Sequence, residues 1–364
     1  MRSVPAAIGA IATAALLAAC SGGLTSTTPS ADTGVGSAIT RDAQGHLAPH
    51  WSRRATLIPD SMRPNHKMPL HGVSLAKKGG GGAGSGVGSF FVGELLGTEL
   101  LKYAHRNTGN APPACTIGAV NLPQGISSDD QGDIIEPDGG TATIQIFKGL
   151  DDCGASLGTI SDTFGQPVDA STANAVNGKI AVANVFDFFG AGSISVCTLS
   201  GGCSANLTNP NMFAVSSVVM RKGSGDCWAS AVDSSGNPTL TWFQGCTGSG
   251  QTATGYQNGS FGGLDIDNKG NIVSLDSIFG TATVYSGCNP ACTVVSGPYT
   301  LQGNAVFGHL NKQAMTFAAA DFINGQIDVY KYHQGTFGYW YSFNNGLTAF
   351  NGVEGVTYSP RSRQ

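Results

Sequence analysis

Charge is what this sequence has least of. Its 364 residues hold 19 Lys plus Arg and 23 Asp plus Glu, together 12% of the chain, about half the usual share of a soluble domain. From Ser89 onward, 11 basic residues stand against 20 acidic ones, a net charge of −9. That balance excludes nucleic acid as an expected partner. Long apolar runs are nearly absent. The single one, Pro5 to Ala19, is 15 residues long, short of the roughly 20 that span a bilayer. Histidine is sparse where chemistry would need it: only His105, His309 and His333 lie beyond residue 88. No G-x-S-x-G elbow, P-loop or Rossmann fingerprint occurs, and no cysteine pair has zinc-finger spacing with a matching second pair. No cofactor is therefore expected.

What is present begins with an export signal. Arg2 supplies a positive start, the uncharged run follows, and small residues Ala18 and Ala19 precede Cys20. Leu17-Ala18-Ala19-Cys20 resembles the lipobox of bacterial lipoproteins at all four positions. The resemblance implies a signal peptide over 1–19, lipidation of Cys20, and attachment to the cell envelope through its acyl chains. By the same resemblance, Ser21 after the cysteine implies sorting to the outer membrane.

Glycine, at 53 residues, is about twice its usual share. With many Ser, Thr and Val, it suits a β-rich extracytoplasmic domain with many turns. Setting Cys20 aside leaves eight cysteines, an even number in an oxidising compartment, which argues for disulfides. Cys227 and Cys246 flank the turn Asp233-Ser234-Ser235-Gly236-Asn237-Pro238 symmetrically, so a hairpin sets them opposite each other at about 4.5–5.5 Å between Cα atoms. Cys197 with Cys203 and Cys288 with Cys292 read as clasps on outer hairpins. Cys115 and Cys153 pair by default.

Residues 20–88 show no sustained period of either kind. A coil of that length spans roughly 45 Å end to end, which suits a tether. Its second half is basic and carries His46, His50, His66 and His71. Contact with anionic envelope material is one reading, and a solvated linker is the simpler one.

From Ser89 the pattern becomes short alternating runs broken by Gly, Asn, Asp and Pro. One unit recurs: a strand, a turn, a strand rich in Ile and Val, a turn, and a strand ending in an aromatic. Its starts near Gly125, Val168, Val215, Gly263 and Ala305 are 42 to 48 residues apart, the size of a four-stranded propeller blade. Glu354-Gly355-Val356-Thr357-Tyr358 reads as a first strand with nothing after it. Phe90 to Gly93 and Glu99 to Tyr103 read as second and third strands with nothing before them. Joining them yields a sixth blade and removes two open sheet edges. The expected fold is an all-β, six-bladed β-propeller over 89–364, closed by the C-terminal strand. A sandwich would need too many strands, and a β-helix repeats at half this spacing.

The pattern of Gly125-Ile126-Ser127 to Gly132-Asp133-Ile134, and of Gly263-Leu264-Asp265-Ile266-Asp267 to Gly270-Asn271-Ile272, resembles the repeats of NHL-type and gluconolactonase-like six-bladed propellers. Such propellers host enzymes, binding modules and scaffolds alike. Their chemistry usually sits at the channel mouth, where first strands begin, and Gln124, Asp169, Gly262, Asn304 and Glu354 fall near that ring. In the gluconolactonase-like hydrolases a Glu-Gly pair with Asn and Asp from other blades holds a divalent metal. Glu354-Gly355 matches one element, and Asn304 and Asp169 supply others by position. The remaining local motifs do not occur, and Glu354 lies near the wrong end of the chain. Asp265 to Asp276 superficially follows an EF-hand loop, but Lys269 stands where an oxygen ligand is needed, so strand, turn and strand is the expectation. Tyr339, Trp340 and Tyr341 are candidate carbohydrate-contacting aromatics. The leading functional expectation is a monomeric, envelope-tethered binding or scaffolding module for a protein, glycan or small molecule. The alternative is a metal-dependent lactonase or hydrolase at the channel mouth.

Overall fold

The computed structural model describes residues 89–149, 153–187, 190–257, 261–311, 313–348 and 352–360, together with a short pair of strands, β1 (Thr40–Arg41) and β2 (Leu47–Ala48). The leader, Cys20 and all of the expected tether except that pair lie outside the described residues. Among the described residues, no helix is long and apolar enough to cross a membrane.

Six four-stranded antiparallel sheets make up the rest. Blade I is β26 (Val353–Ser359), β3 (Ser89–Glu94), β4 (Glu99–Tyr103) and β5 (Cys115–Gly118). Blade II is β6 (Ser127–Ser128), β7 (Ile134–Asp138), β8 (Thr143–Phe147) and β9 (Ser156–Ser161). Blade III is β10 (Gly165–Ser171), β11 (Ile180–Asp187), β12 (Ser193–Thr198) and β13 (Gly202–Leu207). Blade IV is β14 (Ala214–Met220), β15 (Cys227–Val232), β16 (Pro238–Phe243) and β17 (Gln251–Thr252). Blade V is β18 (Leu264–Ile266), β19 (Ile272–Asp276), β20 (Thr281–Ser286) and β21 (Thr293–Thr300). Blade VI is β22 (Ala305–Leu310), β23 (Thr316–Asp321), β24 (Gln326–His333) and β25 (Thr336–Phe343).

Burial falls steadily outward within a blade. In blade I every residue of β26 is buried, whereas only one of the four residues of β5 is. Alternation then sends successive side chains to opposite neighbours. In β3, Phe90 and Val92 join the apolar cluster shared with blade VI, while Phe91 joins the one shared with blade II. Six such clusters occur, one for each junction between consecutive blades, and they close the ring. The fold is a six-bladed β-propeller. Its last strand pairs with its first, from Ser359 opposite Ser89 to Val353 opposite Glu94. The innermost strands approach so closely that a Cβ on Gly355 would lie 2.0 Å from the Gln124 carbonyl oxygen, so only glycine fits there.

The four disulfides are Cys115–Cys153, Cys197–Cys203, Cys227–Cys246 and Cys288–Cys292. Cys197 and Cys203 face each other across the β12–β13 hairpin. The geometry expected of Cys227 and Cys246 differs in one respect. Cys227 pairs in the ladder with Phe243, because the β15–β16 turn is centred earlier than the midpoint of the two cysteines. Gly245 and Cys246, at φ of 60° and 51°, turn the chain back so that the two Cα atoms still come within 5.0 Å. Cys115 starts the outer strand of blade I and Cys153 precedes that of blade II, so their bond ties two blades at the periphery.

Candidate functional site

Antiparallel order puts the starts of the innermost strands, and the turns joining second to third strands, on one rim of the ring. The turns joining first to second and third to fourth strands lie on the opposite rim. Of the channel-mouth candidates, Gln124, Gly262, Asn304 and Glu354 lie at the first rim, whereas Asp169 is the fifth of the seven residues of β10 and so lies inside the ring rather than at a strand start.

Gln124 is fully buried just ahead of Gly125, whose N–H donates to the Val168 carbonyl of blade III at 2.8 Å. Its side-chain amide has no hydrogen-bond partner among the described residues. Glu354 is fully buried at the second position of β26, beside Gly355 and hence against the Gln124 backbone. Asp169, also fully buried, joins blades. One carboxylate oxygen accepts from the Ala170 N–H at 2.8 Å. The other accepts from Ser217 Oγ at 2.5 Å and the Val218 N–H at 3.0 Å, both in blade IV. Asp265 repeats the arrangement between blades V and VI, accepting from the N–H groups of Ile266 at 2.8 Å and Leu310 at 2.6 Å, with His309 Nδ1 at 3.6 Å. Sequence reasoning did not single out this role of Asp265, although Val168-Asp169-Ala170 and Leu264-Asp265-Ile266 share one pattern, an Asp between apolar residues on a first strand. Asn304 is half-buried before β22 and donates from Nδ2 to the Ser277 carbonyl at 2.9 Å. The structure thus sets Gly355, next to Glu354, against the Gln124 backbone and bridges Gly125 to Asp169, while Asp169 reaches on to blade IV and Asn304 to blade V.

A second feature was missed. The residue closing or following the second strand is acidic in every blade: Glu94, Asp138, Asp187, Asp233, Asp276 and Asp321. At Asp138, Asp233, Asp276 and Asp321 the side-chain oxygen accepts N–H groups of its own turn, so the side chain closes a hairpin. Recurrence of an acidic residue at 43- to 49-residue spacing was the available signal. Asp265 to Asp276 forms strand, turn and strand as expected, with Asp267 accepting from the N–H groups of Lys269 and Asn271 and Gly270 at φ 80°.

Among the described residues, one group of His, Cys, Asp or Glu atoms is close enough to hold a metal: Asp162, Cys197 and Cys203. Both cysteines are in a disulfide with each other, so neither offers a thiolate. Asp162 is buried, which raises its pKa, and it accepts from the Phe164 N–H and Ser195 Oγ, which opposes the shift.

The opposite rim carries a groove of about 550 Å³ on blade IV, lined by Ser224, Asp226, Trp242, Gln244, Gly245, Thr247, Ser249 and Gln251. It is built from the turn before β15 and the turn after β16, which the Cys227–Cys246 bond staples together. Asp226 Oδ1 accepts from the Gly245 N–H at 2.8 Å, fixing one turn on the other. Trp242 is half-buried and packs against the apolar cluster between blades IV and V. Its Nε1 is out of solvent, so the surface it gives to the groove is ring carbon. Behind it, Arg221 lies 4.8 Å over the Trp228 ring and donates to the Gly270 carbonyl at 2.7 Å. Tyr339, Trp340 and Tyr341 lie on β25, the outermost strand of blade VI. Trp340 and Tyr341 pack on the cluster between blades VI and I, with Lys331 Nζ 5.5 Å over the Trp340 ring, and Tyr339 is 49% exposed.

No family model matches the chain, and no curated protein matches it. A solved structure shares its fold. A protein of unknown function from Bacteroides caccae is similar with a TM-score of 0.52 at 8% identity, over 75% of this chain and 98% of that one. A functionally unknown protein from Desulfotomaculum acetoxidans gives a TM-score of 0.47 at 12% identity, over 71% of this chain and 80% of that one.

Proposed function

We propose that this chain is a lipid-anchored, extracytoplasmic binding module whose propeller presents the blade IV groove to a ligand. The observation that carries the reading is the construction of that groove. Side chains able to donate and accept line it, and a disulfide with a carboxylate–amide bond holds its walls in place before any ligand arrives, which lowers the ordering cost of binding. Four disulfides in one domain agree with an oxidising compartment, and Leu17-Ala18-Ala19-Cys20 supplies the anchor. The Gly125 and Gly263 units, which resemble NHL-type repeats in sequence, share the same first turn. Asp129 accepts from the N–H groups two and four residues on, as Asp267 does.

A second reading, metal-dependent hydrolysis at the channel mouth, is favoured by the buried Glu354 next to Gly355, which packs on Gln124, whose own amide is buried without a partner among the described residues. Two measurements decide. The purified domain should contain well under one divalent metal per chain by mass spectrometry and leave lactone substrates intact, and a stoichiometric metal would replace the binding reading with the hydrolytic one. Cys20→Ser should lose acylation and leave the membrane fraction, and partitioning like the wild type would remove the anchor.

A further inference from the structure

We propose that the blade IV groove is a subsite for a neutral saccharide, an assignment that rests on the domain being a binding module. The lining residues decide the class. Ser224, Thr247 and Ser249 offer hydroxyls, Gln244 and Gln251 offer amides, and Trp242 offers ring carbon. Among the described residues no Lys, Arg or His lines the groove, and the one carboxylate there, Asp226, would repel an anion. That carboxylate already spends Oδ1 on the Gly245 N–H, and it has no second acid beside it in the lining, so a divalent cation finds too few ligands. An apolar ligand would strand the amides and hydroxyls without partners. A peptide bound through apolar anchor side chains would find only the Trp242 ring among the described lining residues. A saccharide fits each part. Its hydroxyls both donate and accept, as Gln, Ser and Thr side chains require, and its C–H face lies on an aromatic ring. The groove also lies within the roughly 300–1,000 Å³ of small-ligand sites.

The groove is on the rim where the innermost strands end, and Ser89, which pairs with Ser359, starts on that same rim. The binding face and the first described residue of the propeller therefore share a side, while Gln124, Asn304 and Glu354 occupy the other.

The test uses the full mature chain with disulfides intact, in calorimetric and tryptophan-fluorescence titrations. The probes are N-acetylchitotetraose, cellotetraose and maltotetraose, with the neutral tetrapeptide Gly-Ala-Ser-Ala and inorganic phosphate for comparison. At least one oligosaccharide should bind saturably, and phosphate and peptide should not. Trp242→Ala should weaken that affinity about tenfold or more, since a factor of ten is what the loss of one good contact brings, and Trp242→Phe should keep part of it. Gln244→Ala with Gln251→Ala should weaken it similarly. Both glutamines are exposed, so this variant keeps its fold and guards against a loss caused by unfolding. Absence of saturable binding to all three oligosaccharides overturns the proposal, as does binding that survives both variants. Retention of the unacylated Cys20→Ser chain, with and without the glutamine substitutions, on isolated cell envelopes separates the two levels. If envelopes hold the protein and the glutamine variant is released while no oligosaccharide binds, the saccharide class is wrong and the binding module stands. If envelopes do not hold it either, both fail.

Discussion

At the scale of single residues, the buried acids set how stability follows pH. Asp328 is buried, and that burial raises its pKa. Ser342 Oγ and Gln326 Nε2, both donating to it, oppose the rise, while the neighbouring Asp321 adds to it, leaving a value of about 7. Glu136 is fully buried with Asp138 beside it, and its pKa is raised well above the usual carboxylate value by burial first and then by that neighbour. For such a group the folded state holds its proton after the unfolded state has released it. The contribution to stability is complete below the unfolded pKa and is lost as pH rises through the folded one. The domain should therefore melt at a lower temperature at pH 8 than at pH 5. Asp328→Asn should flatten that slope, most of all between pH 5 and 7, in calorimetric scans across the range. An unchanged slope in the variant would mean that Asp328 is ionised in the fold throughout. Little of this was legible in the sequence. Asp169 could be placed near the ring by the repeat, but the repeat says nothing of what faces a side chain from the next blade, and that is what makes Asp169 a tie between blades III and IV. The groove escaped notice for a related reason. Ser224, Gln244 and Ser249 sit in turns whose composition reads only as turn.

At the scale of elements, the disulfides divide by what they tie. Cys197–Cys203 closes a span of 6 residues across one hairpin, whereas Cys115–Cys153 closes 38 and joins two blades. Chain-entropy reasoning gives about 2 kcal/mol for the first and about 4 kcal/mol for the second. Replacing both members of each pair by serine should therefore cost clearly more for Cys115 and Cys153, measured by urea unfolding of the two double variants. Equal costs would mean that the outer edges of blades I and II gain nothing from being joined. Spacing made the short clasps easy to read, because a hairpin leaves few choices. For Cys227 and Cys246 the right partners followed from a wrong register. The midpoint rule assumes a continuous ladder, and the left-handed turn at Gly245 and Cys246 breaks it. The repeat itself was the most legible feature, since alternation and Gly-containing turns recur along the units and aromatic residues stand at or near the end of the third strand in every blade but III.

At the scale of the whole molecule, everything depends on the ring being shut. A propeller has no central core, only the faces its blades share, so each blade is stable because both neighbours are present. Blade I is assembled from the two ends of the domain: β26 comes from residues 353–359 and its partners from residues 89–118. The junction it makes with blade VI is rich in aromatics. Phe90 lies 4.6 Å from the Tyr358 ring and 5.2 Å from Phe343, and Tyr103 lies 4.9 Å from Phe343. Removing β26 takes Val353, Val356 and Tyr358 from that cluster. Large-to-small changes at buried apolar positions cost about 2–5 kcal/mol each, and a domain has only about 5–15 kcal/mol in hand. The loss would also strip the inner edge of β3, exposing its unpaired N–H and C=O groups. Deleting residues 352–364 should therefore abolish cooperative unfolding or cause aggregation, read by circular dichroism melts and light scattering. Deleting residues 21–86 should leave the melt of the propeller in place, because the six blades start at Ser89. A truncated chain ending at Asn351 that stays monomeric and melts as the full domain does would show that the ring needs no closing strand, and the six-blade architecture would then have to be abandoned.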